Sequence, residues 1–219
     1  MRRLKYIFLF IFMQLNLCLN ALEASISIEV LKGPEVIPYL QKLAELRIEF
    51  YRNYPYLYEG RLTDEEAYLN MYAKSADSLL VIAKNGDEVV GAVTGIPMLE
   101  SKEENKQLYA QKQIPAEHIF YLGELVLSQD YQNNALQEKL YLQLEQAVKG
   151  LERYSLLAVC EIERSPEDTK KPVSALSSEV LWAGRGFTKQ PQLYTTDAWK
   201  DVGDLEKSDH HLFFWYKPL

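Results

Sequence analysis

The strongest local constraint on the fold is the stretch Phe120–Gly150, FYLGELVLSQDYQNNALQEKLYLQLEQAVKG. Phe120–Leu127 is apolar and rich in β-formers, which predicts a buried strand. Ser128-Gln129-Asp130 is a polar turn. Beyond it Leu136, Leu140, Leu144, Ala147 and Val148 recur at helical spacing and make one apolar face. Asn133 or Asn134 is placed to cap the helix start, and Gly150 to end it in a left-handed turn. A strand that runs straight into a helix leaves unpaired N–H groups at its end. With the positive pole of the helix dipole, these favour an anion.

Glu124-Leu125-Val126-Leu127, the turn, Tyr131-Gln132 and the amphipathic helix resemble the acyl-CoA motif of the GNAT superfamily of N-acetyltransferases. That motif runs Glu-Leu-x-Val, then Tyr, then Arg/Gln-x-x-Gly-x-Gly/Ala. The resemblance implies an α/β GNAT fold, a mixed, twisted central sheet with helices on both faces. It implies acetyl-CoA as cosubstrate, with pantetheine along the backbone of Val126 and Leu127. The pyrophosphate would rest on Gln132, Asn133, Asn134, Ala135, Leu136 and Gln137. Two positions depart from the motif: Ala135 and Gln137 stand where glycines let a backbone approach phosphate.

The chain of 219 residues, 47% hydrophobic and 25% charged, suits one domain with a sizeable core. A net charge of −7 disfavours nucleic acid as partner. Residues 1–24 read as a signal peptide or N-terminal anchor: Arg2, Arg3 and Lys5, an apolar run from Tyr6 to Leu19, then Ala21 and Ala24. The run is short for a bilayer span. Cleavage predicts an exported protein with no stable membrane span; retention predicts an anchored one. Cys18 would leave with the segment. Cys160, in an apolar run, reads as a core residue.

The remaining chain, 25–219, reads as one GNAT domain. Ser25–Val30 predicts a strand, and Gly33-Pro34 starts a helix with Val36, Leu40, Leu43, Leu46 and Phe50 on its inner face. Tyr54–Gly60 is an aromatic loop, and the resemblance places Tyr56 and Tyr58 beside the acceptor. Thr63 and Glu66 suggest a capping box for a second helix ending near Lys74. Leu79–Lys84 and Glu88–Ile96 read as a hairpin around Asn85-Gly86. Glu100–Gln113 is a charged helix or loop.

Tyr154–Ile162 predicts another strand. Ser174–Ala183 predicts a helix with Leu176, Val180 and Leu181 inward. Leu193–Trp199 and Leu212–Tyr216 read as aromatic-rich strands. Trp182-Ala183-Gly184-Arg185-Gly186-Phe187 resembles the last GNAT motif, with Trp182 at the usual tyrosine. An indole N–H donates a hydrogen bond but is no acid.

The resemblance implies acetyl transfer to the amine of a small molecule or protein. Glu124, on the central strand, is the first candidate base and Glu161 the second. The substitutions at Ala135, Gln137 and Trp182 equally suit a GNAT fold that has lost catalysis and serves as an exported binding module. His210-His211 is the only histidine pair, and neighbours on a strand face opposite ways, so no metal site is expected.

Overall fold

The computed structural model describes residues 26–165, 167–172 and 178–219. The expected signal segment, the strand start at Ser25, the helix start at Ser174 and the inward Leu176 lie outside the described residues. The order is β1 (Ile26–Lys32), α1 (Leu40–Tyr51), α2 (Leu62–Lys74), β2 (Leu79–Asn85), β3 (Glu88–Pro97) and α3 (Glu103–Gln111), then β4 (Ile119–Leu127), α4 (Asn134–Lys149), β5 (Leu156–Ile162), α5 (Ser178–Ala183), β6 (Thr188–Lys200) and β7 (Lys207–Pro218). Among the described residues seven strands form one sheet, in the order β1-β2-β3-β4-β5-β7-β6. Only β4 and β5 run parallel; every other pair is antiparallel.

Each face of the sheet is covered, as strands apolar on both sides require. On one face Leu43, Leu46, Leu69, Tyr72 and Tyr109 from α1, α2 and α3 pack on Ile82, Ile96 and Val126. On the other Leu136, Leu140, Leu144 and Trp182 from α4 and α5 pack on Val81, Val93, Leu127 and Val159.

Four local expectations are corrected. Val180, expected to face inward on α5, is 59% exposed. The segment after Gly33 is a 3-10 turn, Gly33–Tyr39, and α1 begins only at Leu40. Pro38 has no N–H to bond the Pro34 carbonyl, so an α-helical ladder cannot form there. Thr63 is no cap: α2 starts at Leu62 after Arg61, and the Arg61 guanidinium instead bonds Asp64 at 3.0 and 3.2 Å. Gly150 stays right-handed at φ −65, and the left-handed residue is Glu152 at φ 52. The hairpin forms as expected, although Asn85 closes β2 and the turn residues are Gly86, at φ +59, and Asp87.

Candidate functional site at the break in the sheet

The parallel strands β4 and β5 stay paired only from Ile119↔Leu156 to Leu122↔Val159. Both continue, β4 to Leu127 and β5 to Ile162, so the sheet opens beyond that point. A bulge marks the place. Val93 pairs with Leu125 but Gly95 with Leu122, so Gly123 and Glu124 together face Thr94.

The extra residue inverts the alternation. Before it Phe120 and Leu122 face α4; after it Leu125 and Leu127 do. Glu124 is thereby turned to the α1–α2 face. Gly123 is needed there, because a Cβ would lie 1.9 Å from the Tyr72 hydroxyl.

Glu124 is 1% exposed and accepts from four donors. Arg47 and Tyr68 bond one oxygen, the latter at 2.9 Å; Thr94 and Tyr72 bond the other, Tyr72 at 2.9 Å. Arg47 also grips Glu65, so one guanidinium joins α1, α2 and β4 through two buried carboxylates. A carboxylate has about four acceptor sites, and all are filled here. Arg47, Glu65, Tyr68, Tyr72 and Thr94 were not singled out from sequence. The available signal was Arg47 inside the apolar stripe of Leu43, Leu46 and Phe50, with Glu65 four residues before Leu69.

Glu161 lies on the opposite face. Its strand neighbours Leu157 and Val159 face α4 and α5. Its carboxylate accepts the Trp182 indole N–H at 3.0 Å. Burial pushes its pKa up to about 7, although Trp182, the Tyr56 hydroxyl and the Ile162 backbone pull it down. No cation is among those partners. The structure therefore keeps the two candidate bases apart: Glu124 is saturated on one face, and Glu161 is poised near neutrality on the other.

The two faces each carry a cavity. One, of about 180 Å³, is lined by Leu125, Gln132, Gln137, Glu161 and Trp182. The other, of about 260 Å³, is lined by Arg47, Tyr58, Glu65, Glu124, Asp197 and Trp199. Tyr51, Tyr56, Gly123 and Cys160 line both, so the cavities meet at the break. Cys160 is buried, which raises its thiol pKa and keeps it protonated, as a core residue should be.

The loop carrying Tyr56 and Tyr58 is strapped to the far hairpin. Arg164 donates to the Pro55 and Tyr56 carbonyls at 2.6 and 2.7 Å while gripping Asp201. Trp199 donates to the Tyr56 carbonyl at 3.0 Å. Tyr58 forms a β-bridge with Asp201 and lines only the second cavity.

At the start of α4 Asn133 is the cap, its side chain accepting the Leu136 N–H at 2.8 Å. Its carbonyl takes the Gln137 N–H at 3.2 Å. The Leu136 side chain is buried in the core. The helical N–H groups that remain for an anion are therefore those of Asn134 and Ala135. The Leu136 and Gln137 N–H groups, expected to hold phosphate, are already bonded. The Gln132 and Gln137 side chains line the first cavity. Along β4, Ser128 N–H bonds the Val90 carbonyl at 2.9 Å. Antiparallel alternation then puts the Val126 groups in the ladder with Ala92 and those of Leu125 and Leu127 at the opening. Of the two backbone positions expected to pair with pantetheine, Leu127 faces the gap and Val126 does not.

Among the described residues no group of His, Cys, Asp and Glu could hold a metal, and no helix is long and apolar enough to cross a membrane.

No family model matches this sequence, and no curated protein does. Solved structures do match. A GNAT-family acetyltransferase from Streptococcus pneumoniae aligns with TM-score 0.53 at 14% identity, over 88% of this chain and 100% of its own. The PaiA N-acetyltransferase of Thermoplasma acidophilum, solved with coenzyme A, aligns with TM-score 0.52 at 17% identity, over 88% and 99%. A putative acetyltransferase from Salmonella typhimurium, solved with acetyl-CoA, aligns with TM-score 0.53 at 10% identity, over 89% and 94%. The fold is that of the GNAT acetyltransferases.

Proposed function

We propose that this protein is an acetyl-CoA-dependent N-acetyltransferase, in which Glu161 serves as the base. The observation that carries this is the pair of cavities that meet where β4 and β5 part, with a carboxyl of pKa about 7 on the wall of the first. A general base works best when its pKa lies near the working pH. The first cavity is the coenzyme side. It adjoins the open edge at Leu125 and Leu127 and the free N–H groups of Asn134 and Ala135, which suit pantetheine and pyrophosphate.

The second cavity is the acceptor side. Asp64 is paired to Arg61, yet Glu65, Glu124 and Asp197 still outnumber Arg47 and Lys102 on its wall, a balance that draws a protonated amine. Tyr58 and Trp199 supply faces for its cation. Glu124, with every acceptor site filled, is the buried tie that holds this wall.

Calorimetric titration with acetyl-CoA tests the coenzyme half. Glu161→Gln tests the base: binding should stay within about threefold, and turnover should fall roughly 10²-fold or more. A Glu161→Gln enzyme as fast as the parent would move the assignment back to Glu124.

A further inference from the structure

The loop between α1 and α2 crosses the break in the sheet. Its flanking helices pack on Ile82, Ile96 and Val126 of β2, β3 and β4. The groups that hold it come from the other side: Arg164 follows β5 and Asp201 follows β6. The Arg164 side chain is 11% exposed and uses two edges of its guanidinium. The end fork takes both oxygens of Asp201, at 2.6 and 2.9 Å. The side edge takes two successive carbonyls, those of Pro55 and Tyr56, at 2.6 and 2.7 Å.

Two carbonyl dipoles aimed at one point repel each other unless a cation lies between them. The cation in turn needs a buried counter-charge, and Asp201, 2% exposed, supplies it. A planar fork reaches all these acceptors at once; an ammonium is a point charge and does not. Backbone bonds complete the fastening. Glu59 N–H donates to the Lys200 carbonyl at 3.0 Å, and Val202 N–H to that of Leu57 at 2.6 Å.

The rings of the loop take their places from this backbone. Tyr56 packs on Tyr51 at 4.4 Å between centroids and stacks on Trp199 at 6.1 Å. Tyr58 meets Trp199 edge-on at 6.3 Å. Trp199 is itself bonded to the Tyr56 carbonyl and stacked on His210 at 3.9 Å. Tyr56, Tyr58 and Trp199 line the second cavity, whereas Arg164 lines neither it nor the first.

We propose that Arg164 is a positioning residue for the amine acceptor: clasped to Asp201, it fixes the Tyr56 and Tyr58 rings across the break and so sets how tightly the acceptor is held. This rests on the acetyl-transfer reading, with the second cavity as the acceptor side. The same loop reaches the first cavity through Tyr54, Pro55 and Tyr56. The grips assigned to the coenzyme, at Leu125, Leu127, Asn134 and Ala135, lie instead on β4 and α4, beyond the clasp.

The test uses Arg164→Ala and Arg164→Lys in the full chain, with acetyl-CoA as donor, simple primary alkylamines as acceptors and thiol release as signal. For Arg164→Ala the acceptor KM should rise roughly tenfold or more, with kcat and the acetyl-CoA Kd within about threefold of the parent. Guanidinium ion at about 20 mM, far below the molar range in which it unfolds proteins, should restore that KM; equal sodium chloride should not. Arg164→Lys keeps the charge but not the fork, so its KM should rise too. In both variants the Glu59 and Val202 amides should exchange hydrogen faster than in the parent. Melting curves check folding, and Arg164→Lys, which keeps a buried cation beside Asp201, is read in place of an alanine variant that does not fold.

An unchanged acceptor KM in a folded variant overturns the proposal. So does a joint fall of kcat, acceptor affinity and acetyl-CoA affinity that guanidinium does not recover, which is the mark of a structural role alone. Neither outcome touches acetyl transfer, which thiol release by the parent reports. A parent that does not bind acetyl-CoA, or binds it and releases no thiol to any of these amines, overturns acetyl transfer and this proposal with it. Faster exchange at Glu59 and Val202 would then mark a fastening that serves no acceptor.

Discussion

Individual carboxylates behave oppositely in this protein because their surroundings differ. Arg47 sits 13% exposed between Glu65 and Glu124, whose side chains are 2% and 0% exposed. Removing the cation strands two buried charges, so Arg47→Met should cost about 3–5 kcal/mol in denaturant unfolding. A loss under 1 kcal/mol would mean that water reaches the carboxylates. Glu161 has the reverse linkage. Its folded pKa rises from 4.5 to about 7, so the folded chain holds a proton that the unfolded chain has already lost. Its contribution is full below 4.5 and is lost as pH rises through 7. Glu161→Gln should therefore gain of order 1–3 kcal/mol over the parent at pH 8 and almost nothing at pH 4. Equal differences at both pH values would contradict the raised pKa. Neither environment is legible in sequence. Glu124 and Glu161 are each one acid in an apolar strand, and only the bulge decides which face Glu124 takes.

At the scale of elements, periodicity carried most of the architecture. The run from Phe120 and the Leu136, Leu140, Leu144 stripe became β4 and α4 because one face of each had to be buried. The misjudged ends were those set by single backbone groups: the missing N–H of Pro38, and the right-handed Gly150. The start of α4 is also where the sequence departs most from the acyl-CoA motif it resembles. Gln137 lines the first cavity although its N–H is already bonded to Asn133. Gln137→Ala clears space before Asn134 and Ala135 without the cost of glycine in a helix, about 1 kcal/mol. It should tighten acetyl-CoA several-fold by calorimetry at fixed ionic strength. Weaker binding would show that the Gln137 amide itself grips the phosphates.

For the whole molecule, the seven-strand sheet with helices on both faces follows from the alternation of strand and helix patterns read in order. The pairing of cavities does not, since it depends on where two parallel strands stop touching. The expected leader is a separate matter of the first 24 residues. N-terminal sequencing of protein recovered from its native cell should find a start near Leu22 or Ser25. Full-length chain alone, in the cytoplasm, would rule export out.

The four register pairs between β4 and β5 make the sheet a book with a short spine. Its two boards, β1 to β4 and β5 with β7 and β6, are held at one end only by backbone bonds. A ligand in the gap would act as binding thread, adding main-chain partners where β4 and β5 no longer pair and stiffening the hinge between the boards. Acetyl-CoA should therefore slow hydrogen exchange of the Leu125 and Leu127 amides far more than that of the β1–β2 ladder, whose bonds are complete without it. Equal slowing across all seven strands would mean that the boards move as one rigid sheet, and that the ligand stabilises the protein only by mass action.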